Sequence, residues 1–301
     1  MGSIRPVDLN IRHLSLAFRQ RYWTRHADEP DASILWPGIR QQIGQWIAGE
    51  LPLVTAALTT SGEPVVASRA IFSRSQTLHD LWYYGYFYTL PKYRRLGLGE
   101  RVMRNGLAAI AKAGARNCSC YVAENNHASA DLAIKLGFQK LPFVRVVFRD
   151  SQNASHTTRS QLAETTNVRL LAGAWTLINR IAGGKVGAAV ITDEVTIPRP
   201  WQPWKSAESQ LVYLKHENGE ILGIGRIGLH KAIFLPDIDK LSSDPEGMIF
   251  SSASVLSRHK NFPVFTFLPR HIVDSLQNLK LTSKYEIYDV FWHADLQQNN
   301  Y

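Results

Sequence analysis

The sequence predicts an α/β domain with a mixed sheet (α+β), followed by a second, smaller α+β domain. Three observations carry this. In residues 1–150, short runs rich in β-branched and aromatic residues alternate with amphipathic helical stretches. A polar stretch, 151–166, lacks any periodicity and reads as a linker. Residues 167–301 then show a hairpin signal and a strand–helix–strand run. The length of 301 residues suits two domains.

The elements follow in order. Ser3 to Val7 reads as a strand, and Asn10 as the cap of a helix over Ile11 to Tyr22. A second helix spans Ile34 to Ala48, with Leu35, Ile39, Ile43 and Trp46 on one face and Pro37 in its first turn. Leu51 to Thr59 and Pro64 to Phe72 flank Ser61-Gly62-Glu63 and form a hairpin. Leu81 to Leu90 is an aromatic strand, Leu98 to Ala113 a helix and Asn117 to Ala123 a strand. Ala128 to Leu136 is a helix and Leu141 to Arg149 a strand. In the second half, Asn167 to Leu171 and Ala174 to Ile181 read as strand and helix. Leu211 to His216 and Ile221 to Leu229 flank Asn218-Gly219, a strong hairpin turn. Phe262 to Leu268, His271 to Leu279 and Tyr285 to His293 give strand, helix and strand.

Composition narrows the function. No apolar run is long enough for a membrane span, and Met1 to Arg12 lacks the apolar stretch of a secretory signal, so a cytoplasmic protein with no membrane role is expected. Cys118 and Cys120 are the only cysteines; one residue apart on a strand, they point the same way, cannot pair readily, and read as small buried residues. They offer too few ligands for a metal site, and none is expected. Residues 1–150 carry 19 Lys+Arg against 11 Asp+Glu, while 151–301 are nearly balanced at 15 against 14. The first half therefore suits an anionic partner. No nucleic-acid-binding motif appears to tip that partner toward nucleic acid.

The informative segment is Pro91-Lys92-Tyr93-Arg94-Arg95-Leu96-Gly97-Leu98-Gly99, between an apolar strand and an amphipathic helix. A helix start leaves several backbone N–H groups without partners, all pointing one way, and the helix dipole adds to their pull on an anion. Glycines at 97 and 99 let phosphates approach the backbone, and Arg94 and Arg95 add charge. Gly223-Ile224-Gly225-Arg226-Ile227-Gly228 also spells a dinucleotide fingerprint. It lies within a hairpin arm with no helix after it, so it reads as a strand with close backbone packing.

Arg94-x-x-Gly97-x-Gly99 resembles the acetyl-CoA pyrophosphate loop of the GNAT acetyltransferase superfamily. Asn126-His127-Ala128-Ser129, followed at the family's distance by Lys135-Leu136-Gly137-Phe138, resembles a second family segment. The resemblance covers residues 3–150 and implies a GNAT-like acyl-CoA-binding fold. It implies that backbone groups of Phe87, Tyr88 and Thr89 pair with the pantetheine arm in a splay between two strands. The pyrophosphate would be held by Arg94 and by N–H groups of Arg95, Leu96, Gly97, Leu98 and Gly99, while Asn126 would bond near the pantetheine.

The sequence departs from the family at the catalytic positions. Where many members have a tyrosine acid, this chain has Ala133; where some have a glutamate base, it has Tyr83 or Tyr121. An amine such as that of lysine, with a pKa of about 10.4, must still lose a proton before attack. Tyr121, Tyr83, Glu124 and His79 are the groups placed to take or relay it. Alternation puts Tyr121 on the face opposite the cysteines. The expected function is an acetyl-CoA-dependent N-acetyltransferase acting on the amine of a small molecule or amino acid. The alternative is a non-catalytic acyl-CoA sensor of the same fold. The second half reads either as a degenerate GNAT-like domain or as an unrelated dimerisation or substrate-cleft module, which leaves a homodimer open. Trp201 and Trp204 supply an aromatic loop, either for a lid over a cleft shared by both halves or for packing between them.

Overall fold

A computed structural model describes residues 10–13, 53–61, 64–73, 81–148, 160–164, 210–216, 221–227, 232–236, 264–278 and 285–297. The strand expected at Ser3–Val7, the helix at Ile34–Ala48, the elements at 167–181, His79, Trp201 and Trp204 lie outside these residues.

The described chain forms one twelve-stranded sheet. Its strands are β1 (Asn10–His13), β2 (Leu53–Leu58), β3 (Pro64–Ser73), β4 (Leu81–Thr89), β5 (Asn117–Ala123), β6 (Gln139–Phe148), β7 (Ser160–Glu164), β8 (Gln210–His216), β9 (Ile221–Ile227), β10 (Ala232–Pro236), β11 (Val264–Pro269) and β12 (Tyr285–His293). The helices are α1 (Leu98–Lys112), α2 (His127–Lys135) and α3 (Arg270–Asn278). None is long and apolar enough to cross a membrane.

The strand order is β1-β2-β3-β4-β5-β12-β6-β11-β10-β9-β8-β7. It reads as two five-strand wings around a central pair, β12 and β6, each contributed by the opposite half of the chain. The wings match in sense as well as in order: β4–β5 and β10–β11 are parallel, and all other neighbours are antiparallel. The boundary expected at residue 150 therefore does not divide the sheet. β12 lies between β5 and β6, pairing Val290 with Tyr121 and Tyr288 with both Ala123 and Arg145.

Two local expectations change. Asn10–His13, expected to open a helix, is a strand, because its backbone finds the edge of β2 in antiparallel register, Asn10 opposite Leu58. The stretch 151–166, expected as a linker, contains β7, whose backbone pairs with β8 from Ser160–His216 to Glu164–Val212. In both cases tertiary pairing outweighs local composition.

Burial explains why the helices sit where they do. Along α1, Leu98, Val102, Met103, Gly106, Leu107 and Ile110 are buried, a helical stripe on one side. Met103, Leu107 and Ile110 share a core with Trp82, Tyr84, Cys118, Cys120, Val122, Ala133, Leu136, Phe138 and, from the far end of the chain, Phe291 and Leu296. A Cβ at Gly106 would lie 2.1 Å from the Tyr84 hydroxyl, so glycine is what lets α1 close over that ring. The hydroxyl is then buried and bonded to Ser68 Oγ at 2.6 Å. Cys118 and Cys120 are free and buried on this helix-covered side. Burial pushes the Cys120 thiol up to about 12 and raises that of Cys118 as well, so both stay neutral and pack as small apolar groups.

Candidate active site

β4 and β5 pair as parallel strands only from Leu81–Asn117 to Tyr83–Ser119. Beyond that point they part. The cause lies on the other edge of β4, where the register with β3 shifts between Ala67–Tyr88 and Arg69–Gly85. Three steps on β4 match two on β3, a bulge at Tyr86 and Phe87 that bends the strand away from β5. The backbone from Tyr84 to Thr89 thereby presents an edge to an open V rather than to a neighbouring strand. Phe87 points to the helix side and packs against two core clusters, one centred on α1 and α2 and one containing Ala57, Val66, Tyr93 and Leu98. Phe87, Tyr88 and Thr89 lie on this open part of β4.

The loop after β4 is anchored by a 3-10 turn, Pro91–Tyr93, with Tyr93 buried. Arg95 and Gly97 then take left-handed conformations, φ 62° and 70°. Such turns gather successive N–H groups into a concave cradle. Gly97 is the N-cap of α1 and has no side chain to satisfy the helix start. The first-turn donors of Leu98, Gly99 and Glu100 have no acceptor within the helix. A Cβ at Gly97 would meet nothing within 4 Å, so the space above the cradle is open. A Cβ at Gly99 would fall 2.8 Å from the Phe87 ring, so the first turn of α1 packs directly on the splayed strand. Arg94 folds back: its Nε donates to the Thr89 carbonyl at 3.1 Å and its guanidinium lies 5.7 Å from the Tyr88 ring centroid. That bond uses one lone pair of Thr89 and leaves the second acceptor direction of the carbonyl. Glu100 is the one acid in the first turn of α1. Lys135 Nζ at 2.6 Å and Arg104 at 3.0 Å offset its charge and hold its carboxyl below the usual range.

Across the V, Asn126 caps α2, its Oδ1 accepting from the Ser129 N–H at 3.2 Å. The Gly137-Phe138 pair that ends this segment packs against β12. A Cβ at Gly137 would be 2.9 Å from His293 Nε2, and the Phe138 and His293 rings meet edge-on at 5.1 Å.

On the sheet face opposite the helices, the Tyr83 and Tyr121 rings lie 5.1 Å apart, at the point where β4 and β5 separate. The Tyr83 ring lies along its own strand over Gly85, where a Cβ would come within 2.9 Å of the hydroxyl. Tyr121 also meets Phe267 of β11 at 6.2 Å and the Arg145 guanidinium at 4.6 Å; that guanidinium sits 4.2 Å from the Phe265 ring as well. The two tyrosines are therefore brought together. Glu124 is not with them. Expected as a candidate base, it accepts from Arg270 Nη2 at the head of α3. Ala133, which stands where the usual acid was expected, is buried in the core. Sequence reasoning missed Arg145, Arg270 and Asp289. None carries a local signal, because their contacts exist only once β6 and β12 have exchanged places.

The bulged strand and the splay leave an open strand edge next to a helix start without a side-chain cap. Residues 17–138 match the model of the acetyltransferase (GNAT) family, and this part of the chain is a GNAT acetyltransferase domain. No curated protein matches the sequence. Among solved structures, the chain resembles a GCN5-related N-acetyltransferase from Sphaerobacter thermophilus, with 13% identity, a TM-score of 0.53 and 97% of each chain covered. It also resembles a tandem GNAT protein from the clavulanic acid biosynthesis pathway, with 11% identity, a TM-score of 0.50, and 95% of this chain and 98% of that one covered. At such identities the likeness establishes the fold alone.

Proposed function

We propose that the protein is an acetyl-CoA-dependent N-acetyltransferase that acetylates the amine of a small molecule or amino acid. The observation that carries this is the join of an open strand edge, Tyr84 to Thr89, to an uncapped helix start at Gly97. A pantetheine arm can extend a sheet edge by main-chain bonds, while a pyrophosphate takes the N–H cradle. Acetyl-CoA supplies the activated acyl group. The acceptor nitrogen attacks the thioester carbonyl carbon, the C–S bond breaks, the sulfur leaves as thiolate, and the amine proton passes to a base or to water. A thiol of pKa about 8.5 can depart without full protonation, which fits a site whose usual acid position is Ala133. The Tyr121 and Tyr83 rings, 5.1 Å apart where β4 and β5 separate, support a role in holding a water or donating to the sulfur.

Residues beyond 150 are read as a degenerate second GNAT-like unit that shapes the acceptor side. The mirrored wing with its own short parallel pair supports this, and no loop of the Arg-x-x-Gly-x-Gly type accompanies it. The deciding experiment follows release of free thiol from acetyl-CoA over a panel of amines, with hydrolysis in their absence as background. Amine-dependent thiol release supports transfer. A second reading, an acyl-CoA sensor without turnover, is favoured by two observations: buried Ala133 and the engagement of Glu124 by Arg270. Tight binding of acetyl-CoA with no amine-dependent release would establish it.

A further inference from the structure

We propose that Arg270, the first residue of α3 in the second half, is a positioning residue for the cofactor cleft of the first half. It holds the turn between β5 and α2 that presents Asn126. The proposal rests on the acetyl-CoA reading above. Its basis is a charge cluster that bridges the halves. The Arg270 guanidinium donates to Glu124 Oε1, lies 3.2 Å from Asp289 Oδ1 through Nη1, and lies 3.1 Å from Asp274 Oδ1 through Nε. Asp289, on β12, has a side chain only 7% exposed, and its second oxygen accepts from Lys140 Nζ of β6 at 2.7 Å. A carboxylate so far from water needs both cations.

The turn itself is short and tied at each end. The Glu124 N–H donates to the Ile287 carbonyl of β12 at 2.9 Å, and the Asn126 N–H donates to the Ala123 carbonyl at 2.8 Å. Two of the ties on Glu124, one main-chain and one side-chain, therefore come from the second half. The Asn126 Oδ1 accepts from the Ser129 N–H, which orients the side chain and leaves its amide NH2 for contact with the pantetheine. A guanidinium offers donors in fixed directions, which sets the position of its partner as well as its charge. Displacing the turn by about 1 Å is enough to lose a contact of this kind, and misplacements of that size cost up to about a hundredfold. This gives the second half a task in cofactor binding although it has no phosphate loop of its own.

The test uses the full chain. Calorimetry compares acetyl-CoA with 3′,5′-ADP, a fragment that reaches the phosphate loop but not Asn126. Arg270→Ala is expected to weaken acetyl-CoA binding about tenfold or more while 3′,5′-ADP binds as before, and Arg270→Lys to recover only part of the loss. Asp274→Ala, which removes the exposed partner, is expected to leave both ligands unchanged. If Arg270→Ala does not fold, Glu124→Gln replaces it, with several-fold weaker acetyl-CoA binding expected. Wild-type affinity for acetyl-CoA in a folded Arg270→Ala or Glu124→Gln variant overturns the proposal, as does equal weakening of both ligands. Failure of the wild-type chain to bind either ligand overturns the acetyl-CoA reading itself and the proposal with it.

Discussion

Phe291 tests the strand exchange. It belongs to β12, far along the chain, yet it is fully buried in the core made by α1, α2 and β5. Phe291→Ala removes a ring from among Met103, Leu107, Cys118, Ala133 and Phe138, and leaves a cavity that a sheet anchored on both sides cannot collapse. Truncations of this kind cost about 3–5 kcal/mol. Spread over 301 residues, at an unfolding entropy of about 2.1 cal/mol/K per residue, that predicts a fall in melting temperature of roughly 5–8 °C. A melting curve measures the total, and hydrogen exchange locates it. Amides of Leu98–Lys112, in the first half, are expected to lose protection together with those of Tyr285–His293. If β12 belonged to a separate C-terminal unit, its own amides would weaken and those of α1 would not. That pattern, or a melting temperature within about 2 °C of wild type, would refute the exchange.

Four further outcomes are expected. Gly97→Asp forces a side chain into a left-handed conformation and sets a negative charge over the cradle, so acetyl-CoA affinity by calorimetry should fall tenfold or more, about 1.4 kcal/mol or above. Gly106→Ala drives a methyl into the Tyr84 hydroxyl; overpacking of about 1–3 kcal/mol exceeds the helix-propensity gain of about 1 kcal/mol, so denaturant unfolding should show a net loss. Tyr121→Phe should lower the transfer rate about a hundredfold if its hydroxyl donates to the sulfur or holds a water; a wild-type pH–rate profile would end that role. Burial lowers the pKa of His293 below its unfolded value of about 6.5, so the neutral ring's contribution is complete above that pH and is lost as pH falls toward the folded pKa. Stability between about pH 7 and 5 should therefore fall more steeply in wild type than in His293→Gln.

The parts of the fold legible in the sequence are those whose signals are local. The hairpins, α1, α2 and the cradle at Gly97–Gly99 depend on neighbours within a few residues, and their periodicities and glycines announce them. The facing of Tyr121 away from the cysteines follows from alternation alone. Gly223 of β9 likewise packs closely, with a Cβ there only 2.5 Å from the Leu235 carbonyl oxygen. What composition hid is pairing at long range. Asn10–His13 looks like a helix start until β2 offers it an edge, and Ser160–Glu164 looks like linker until β8 does. Residues 139–148 and 285–293 each read as the last strand of their own half, and nothing in either run says that each sits in the other's sheet. For the same reason the sequence alone leaves Glu124 among the candidate bases: its partner is an arginine that lies on the far side of that exchange.

The central pair also governs how the molecule can be made. A chain of two independent units can fold the first while the second is still being synthesised. Here the slot between β5 and β6 stays empty until residues 285–293 have left the ribosome, and until then two unpaired strand edges and the hydrophobic bed for Phe291 stand open. Exposed strand edges of this kind are general templates for mispairing. Two chains synthesised side by side could complete each other's slots, which would make a domain-swapped dimer the characteristic misfolded product of this architecture.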